Sequence, residues 1–383
     1  MTSIHEAIRQ LFSPPQALRM GIYHFQSPPD DPRNYRLHLR IEADGSGLLI
    51  VNASTILHLN QTAAEYAFHF IQQTPKEEIG RQISKRYNVK LAKAIEDFDD
   101  FASRIESLIN TPDLDPEIFL GFDQTKVNHQ NLSAPLRLDC AVTYSLRPNC
   151  DPSFAPINRV KQELSTMEWI TILEKAWQAG IPHVIFTGGE PTLRSDLADL
   201  IQKSESLGQV TGLLTDGLSF LDRDFTDKIL KTGLDHIMFL LQPDKDDSWF
   251  ALKQLVEQDI FVAVHLTIMA INTDEILHAL IRLSEMGLKS VSLSASDRSL
   301  ELPLQSLRSK AAEMNLSIVS DLPVPYSALN PVALELEQSN PSAGNTHSWL
   351  YIEPDGDVLD SQGQTVVRGN LSRDDLDKVW RRQ

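Results

Sequence analysis

His183-Val184-Ile185-Phe186-Thr187-Gly188-Gly189-Glu190-Pro191-Thr192 is the stretch that decides the fold class. Its first five residues form an apolar and aromatic run of strand length, closed by glycine and proline. Two glycines let the backbone approach a neighbouring group closely, and a carboxylate beside them is suited to pairing with an ammonium. Gly-Gly and Glu-Pro also make ordinary turns. The position carries the weight: a strand over His183–Thr187 ends at this turn, and a helix follows over Asp196–Leu207.

Outward from that turn the same alternation repeats. Strands are expected at Leu136–Thr143, Val210–Thr215, His236–Leu241, Phe261–Thr267 and Ser290–Ser294. Helices fall between them: one capped by Ser165-x-x-Glu168, then Phe225–Thr232, Ser248–Gln258 and one capped by Asn272-x-x-Glu275. Six strand–helix units in this order imply a parallel sheet with right-handed crossovers. A full eight-unit barrel takes roughly 250 residues, so the expected fold class is α/β, a partial (β/α)6 barrel that is open or incomplete. In such folds the chemistry sits at the C-terminal ends of the strands, where Gly188–Pro191 lies. His183 begins its strand at the opposite end and reads as structural, and His265 reads as a packed interior histidine.

Upstream, residues 1–112 read as a small α+β domain of winged-helix type. Arg36–Ile41 and Leu48–Val51 flank the turn Asp44-Gly45-Ser46-Gly47, a hairpin signal, and Ile56–Leu59 adds a third strand. Three helices follow, opened by a Thr62-x-x-Glu65 box, by Pro75 as first helical residue, and near Leu91. A polar linker covers 113–132, the barrel 133–320, and a tail 321–383. In the tail, Tyr351–Val358 reads as strand, Pro-Asp-Gly turn and strand, and a last helix runs toward Trp380.

Composition narrows the function. The chain has 383 residues and a formal charge of −17. Residues 1–112 hold 12 Lys and Arg against 13 Asp and Glu, so nearly all the acidic excess lies beyond them. No basic stripe exists to neutralise phosphates, which argues against a nucleic-acid partner. No apolar run of about 18 residues or more suggests a membrane span, and Met1–Gln16 lacks the pattern of a secretory signal. Cys140 and Cys150 are the only cysteines. That excludes a disulfide framework and makes cytoplasmic the expected location.

After the first strand the chain reads Thr143-Tyr144-Ser145-Leu146-Arg147-Pro148-Asn149-Cys150-Asp151-Pro152-Ser153-Phe154. This resembles the cluster loop of radical SAM enzymes, where C-x-x-x-C-x-x-C precedes an aromatic residue and the three thiolates hold an iron–sulfur cluster. Leu146 stands at the first cysteine position, Cys150 at the second and Ser153 at the third. Leucine does not ligate iron, serine is a poor substitute, and Cys140 lies at the wrong spacing. Cys150 is thus the only remnant of the frame, and the metal set is empty. The resemblance also makes Gly188, Gly189, Glu190 and Pro191 the segment that binds the amino group of S-adenosylmethionine, if the turn keeps its ligand. Thr215-Asp216-Gly217 stands where the family commonly shows Thr-Asn-Gly, and Leu240–Pro243 departs from the family pattern as well.

The tail resembles the SPASM extension of peptide-modifying members, with Ser361 where a cysteine for an auxiliary cluster is expected. The N-terminal domain resembles the leader-peptide recognition domain of the pyrroloquinoline-quinone biosynthesis type (PqqD-like), carried by Leu57–Glu65, Ile79–Tyr87 and the acidic Glu96–Asp100 helix. Such domains take a peptide as an added strand on a sheet edge. Together the resemblance implies a radical SAM-fold protein of the peptide-maturation type without an iron–sulfur cluster, binding a peptide or protein partner as a pseudoenzyme. Two alternatives stay open: an active radical SAM enzyme with an unusual cluster site, and a cluster-free protein that binds S-adenosylmethionine.

Overall fold

The computed structural model describes residues 18–381 except 29, 34, 52–54, 112–131, 149, 151–153, 270–271, 297 and 320–347. Ser153 and residues 113–131 of the expected linker lie outside the described residues. The chain forms two compact units, Met1–Ser133 and Ala134–Gln383.

In the first unit an antiparallel sheet runs in the order β1-β2-β3-β4, with β1 Gly21–Gln26, β2 Arg36–Ile41, β3 Gly47–Val51 and β4 Thr55–Leu59. Alternation puts every second residue on one face, and Leu39, Leu49 and Leu57 form one buried row across β2, β3 and β4. Helices α1 (Gln61–Ile71), α2 (Lys76–Tyr87) and α3 (Leu91–Asn110) close that core. Phe98, Phe101, Ile105 and Leu108 are buried at the helical spacing expected of them.

Three local expectations are corrected here. β1 was not expected. The cap of α1 is Asn60, whose side chain accepts from the Ala63 amide at 2.9 Å, not Thr62. Pro75 is the cap of α2 and Lys76 its first residue. In α1 the side chain that reaches an orphan amide lies two positions before the expected one, and in α2 the proline takes the cap instead of the first helical position.

The second unit is built on a ten-stranded sheet. β5 (Arg137–Thr143), β6 (His183–Gly188), β7 (Val210–Thr215), β8 (His236–Leu240), β9 (Phe261–Ile268) and β10 (Ser290–Ala295) lie side by side in chain order. Between them run α4 (Thr166–Gln178), α5 (Leu197–Leu207), α6 (Arg223–Leu230), α7 (Asp246–Val256) and α8 (Thr273–Glu285). The Ser165–Glu168 capping box of α4 is present in both directions. Asn272 caps α8 by position only; its side chain serves the preceding turn, accepting from the Met269 amide and donating to Thr267.

The sheet is larger than six strands. After α9 (Glu301–Glu313), β11 (Ser317–Ile318) pairs parallel with β10, and β12 (Trp349–Ile352) pairs parallel with β5 at the other side. β13 (Asp357–Leu359) and β14 (Gly369–Asn370) then extend it antiparallel, and α10 (Leu376–Arg381) ends the described chain. β11 is too short to show a period, and β12 joins the sheet from a distant part of the sequence. Both therefore escape a pattern-based count.

Candidate functional site

β5 and β6 run in register from Arg137↔His183 to Ala141↔Thr187, then slip so that Thr143 faces Gly188. The extra residue bulges β5 where its loop departs, and bulges commonly re-aim the chain at such ends. Here the loop turns across the end of β6. The Gly189 amide donates to Thr143 O and the Glu190 amide to Ser145 O, both at 2.8 Å.

That crossing explains the two glycines. A Cβ on Gly188, whose φ is +131°, would fall 2.1 Å from Thr143 O, and one on Gly189 would fall 2.3 Å from Ser145 O. Neither position admits a side chain, because the backbone at the end of β5 and in the loop after it already occupies the space. Gly-Gly is thus required by packing within the chain.

Glu190 is almost fully buried. Its Oε1 accepts from the Thr192 amide (3.0 Å), the Thr192 hydroxyl (2.5 Å) and the Thr215 hydroxyl (2.8 Å), and Oε2 accepts from the Asp216 amide (2.8 Å). Burial, joined by the neighbouring Asp216 carboxylate, pushes its pKa up to about 7, while those hydrogen bonds pull the other way. The carboxylate therefore ties the end of β6 to the end of β7. Pro191, buried, opens the short 3-10 turn Pro191–Leu193 that carries Thr192.

Arg147, from the loop after β5, meets the same cluster. Its Nε donates to Asp216 Oδ2 at 2.7 Å, and its Nη2 donates to Thr192 Oγ1 (3.1 Å) and Ser219 Oγ (2.8 Å). Sequence reasoning missed Arg147, Thr192 and Ser219. The available signal was a basic residue inside the loop and an acidic one in Thr215-Asp216-Gly217, opposite charges at strand ends that the fold brings together.

The other cluster-loop residues have separate surroundings. Leu146, partly buried, packs with Ala141, Tyr144, Ala155, Tyr351 and Leu359. Cys150 is half-buried, and its amide donates to Arg147 O. Cys140 is fully buried on the opposite face of β5, in the helix-side core with Leu138 and Val142, and burial raises its thiol pKa well above the ordinary value. The structure thus separates the two cysteines onto a strand face and a loop.

The tail hairpin reaches this loop from β12. Tyr144 donates to Glu353 at 2.8 Å and lies 3.4 Å from the Tyr351 hydroxyl, and Arg159 pairs with Glu353 at 2.6 Å. Carboxylates of Glu353, Asp355 and Asp357 come within 4.8 Å of one another. Arg159 supplies the cation there, and Asn370 donates to Asp357. Ser361 is buried beyond β13.

His265 donates to or accepts from Ser292, Ser294 and Thr267, and burial lowers its pKa to about 3. His183 stacks edge-on against His236 at 5.1 Å, both half-buried at the start of their strands. Both histidine readings agree with packing roles. Among the described residues no helix is long and apolar enough to cross a membrane.

Comparison with solved structures returns the same architecture. The crystal structure of Streptococcus suis SuiB bound to its precursor peptide SuiA matches with a TM-score of 0.62 at 16% identity, over 93% of this chain and 88% of that one. SuiB bound to S-adenosylmethionine gives 0.59 at 16%, over 90% and 86%. At this identity the likeness is one of fold. Residues 140–297, which run from β5 to just past β10 and include every side chain of the cluster around Glu190, match the model of the Radical SAM superfamily.

Proposed function

We propose that this protein is a radical SAM-fold protein of the peptide-maturation type that has lost its iron–sulfur cluster and acts as a peptide- or partner-binding pseudoenzyme. The observation that carries the reading is the use made of the cluster frame. Leu146, at its first position, is spent on apolar packing against the tail. With Cys140 in the core, Cys150 is the single thiol the loop can offer, and Ser153 is a poor third ligand. One thiolate does not hold a four-iron cluster, so the donor set does not fit it.

The Gly188–Pro191 turn points the same way. Its glycines are accounted for by β5, and both oxygens of Glu190 are engaged within the chain. The reading therefore expects no heat from S-adenosylmethionine in calorimetry.

For the partner, we assign peptide capture to the PqqD-like unit over 1–112. β4 is an edge of its sheet, and Ile56 on it is 37% exposed. An extended peptide adds to such an edge through backbone hydrogen bonds, with an apolar contact at Ile56. SuiB, crystallised with its precursor peptide, is the like-folded protein that motivates this partner class. The β12–β14 extension is read as a SPASM-like tail without its auxiliary cluster, Ser361 replacing the ligand.

Iron and sulfide analysis after anaerobic purification and reconstitution tests the reading. Protein left without iron or sulfide after desalting is the expected result. A near-stoichiometric cluster that survives desalting overturns it and makes the protein an enzyme.

A further inference from the structure

We propose that the first unit carries a small-molecule site: the cleft between the end of α1, the start of α2 and one face of α3 binds an organic cation with an apolar body. The cleft has a volume of about 410 Å³, within the range typical of ligand sites. Phe70, Phe98 and Ala102 supply its apolar lining. Phe98 is almost fully buried and Phe70 only half so, and the cleft therefore offers aromatic surface to a ligand. Its shape is fixed within the chain. The Thr74 amide donates to His69 O at 3.0 Å and the Gln73 amide to Phe70 O at 3.1 Å, while buried His69 holds the Thr74 hydroxyl 3.2 Å from its Nδ1.

The charged groups along the cleft are unevenly spent. At one end Lys76 and Asp99 pair at 2.6 Å and cancel. Glu106 lies two helical turns beyond Asp99 on the same face of α3, about 10 Å along the axis. Its carboxylate makes no hydrogen bond or ion pair among the described residues. Arg33, whose charge interacts with that of Glu106, is committed to Asp31, to which its Nε and Nη2 both donate. The net charge of the cleft is thus the carboxylate at its far end. An ammonium or guanidinium there gains a charge-assisted hydrogen bond, while its apolar body covers Ala102 and the two rings. An anion meets the same carboxylate and is repelled. The site stands on residues of the first unit alone and goes beyond the proposed function, whose cluster frame it does not involve.

Calorimetry with phenethylammonium on the full chain tests this. Wild type is expected to bind it saturably, and to bind phenylpropionate, of like body and opposite charge, at least about tenfold more weakly. Glu106→Gln is expected to weaken phenethylammonium binding by about tenfold. Ser103→Lys, an exposed change that sets a cation one turn from Glu106, is expected to do the same without touching the core. Ala102→Leu is expected to abolish binding by filling the cleft, and its melting curve shows separately whether it folds. Asp100→Asn removes an α3 carboxylate that does not line the cleft, and is expected to leave binding unchanged. No saturable binding by wild type overturns the proposal. So does equal affinity for phenylpropionate, or a loss in Asp100→Asn as large as that in Glu106→Gln.

Discussion

Arg147 and Asp216 form an ion pair across the ends of β5 and β7, at 2.7 Å, over the intervening β6. Three strand ends are thereby joined through side chains, with Glu190 of the middle one accepting from the Asp216 amide. The pair is neither buried nor free: the two side chains retain 23% and 16% exposure. Solvent screening reduces its Coulomb energy, and its second function is to keep Asp216 compensated beside Glu190. A double-mutant cycle with Arg147→Met and Asp216→Asn, read by urea unfolding, is expected to give a coupling of about 1 kcal/mol. Strict additivity would show that the contact contributes nothing.

Gly189→Ala is expected to be among the most damaging single changes in the chain. The new methyl would stand 2.3 Å from Ser145 O and 3.0 Å from the Tyr144 carbonyl carbon. Relief requires moving the backbone that carries the Glu190 amide bond to Ser145. A loss of about 3 kcal/mol or more is expected. Gly287→Ala is the control: its φ is +81° but no atom lies within 4 Å, so only the left-handed backbone is penalised, at about 1 kcal/mol. Equal losses in denaturant titrations would mean that strand crossing is not what the glycine serves.

The tail should stabilise the loop after β5 through Tyr144. Burial raises the Glu353 pKa while the Tyr144 and Arg159 bonds lower it, so removing a donor leaves a poorly compensated carboxylate. Tyr144→Phe keeps the ring in the cluster of Leu146 and Tyr351 and deletes only the hydroxyl. A destabilisation of about 1–2 kcal/mol in urea is expected. No measurable change would indicate that Arg159 alone satisfies Glu353.

Much of this was legible in the residues, for identifiable reasons. The strand beginning at His183, the helix capped at Ser165, the helix ending at Leu207 and the Pro354-Asp355-Gly356 turn all announce themselves by local period or local chemistry. Gly188 and Gly189 were legible as necessary but not as to why, because the atoms they avoid are Thr143 O at the end of β5 and Ser145 O in the loop after it. The Arg147–Asp216 pair was hidden for the same reason. Each residue has an ordinary local context, and only the lateral order β5-β6-β7 brings them together. β12 beside β5 is the extreme case, since pairing Trp349 with Arg137 depends on nothing near either residue.

Glu190 gives the chain a titration that a single substitution isolates. In the folded state its pKa is pushed up to about 7 by burial and the Asp216 carboxylate, against an ordinary value of 4.5. Between those two pH values the folded chain binds more protons at this site than the unfolded chain. The stability contributed is therefore fully present below 4.5 and is lost as pH rises through 7, a change of about 3 kcal/mol at most. Glu190→Gln keeps an acceptor for Thr192 and Thr215 but does not titrate. It is expected to destabilise more at pH 5 than at pH 8, with the gap to wild type narrowing across that interval in urea unfolding. A gap that stays constant would place the folded-state pKa at its unfolded value. A gap that widens toward alkaline pH would mean that Arg147 and the four donors outweigh burial, so that the carboxylate is held ionised.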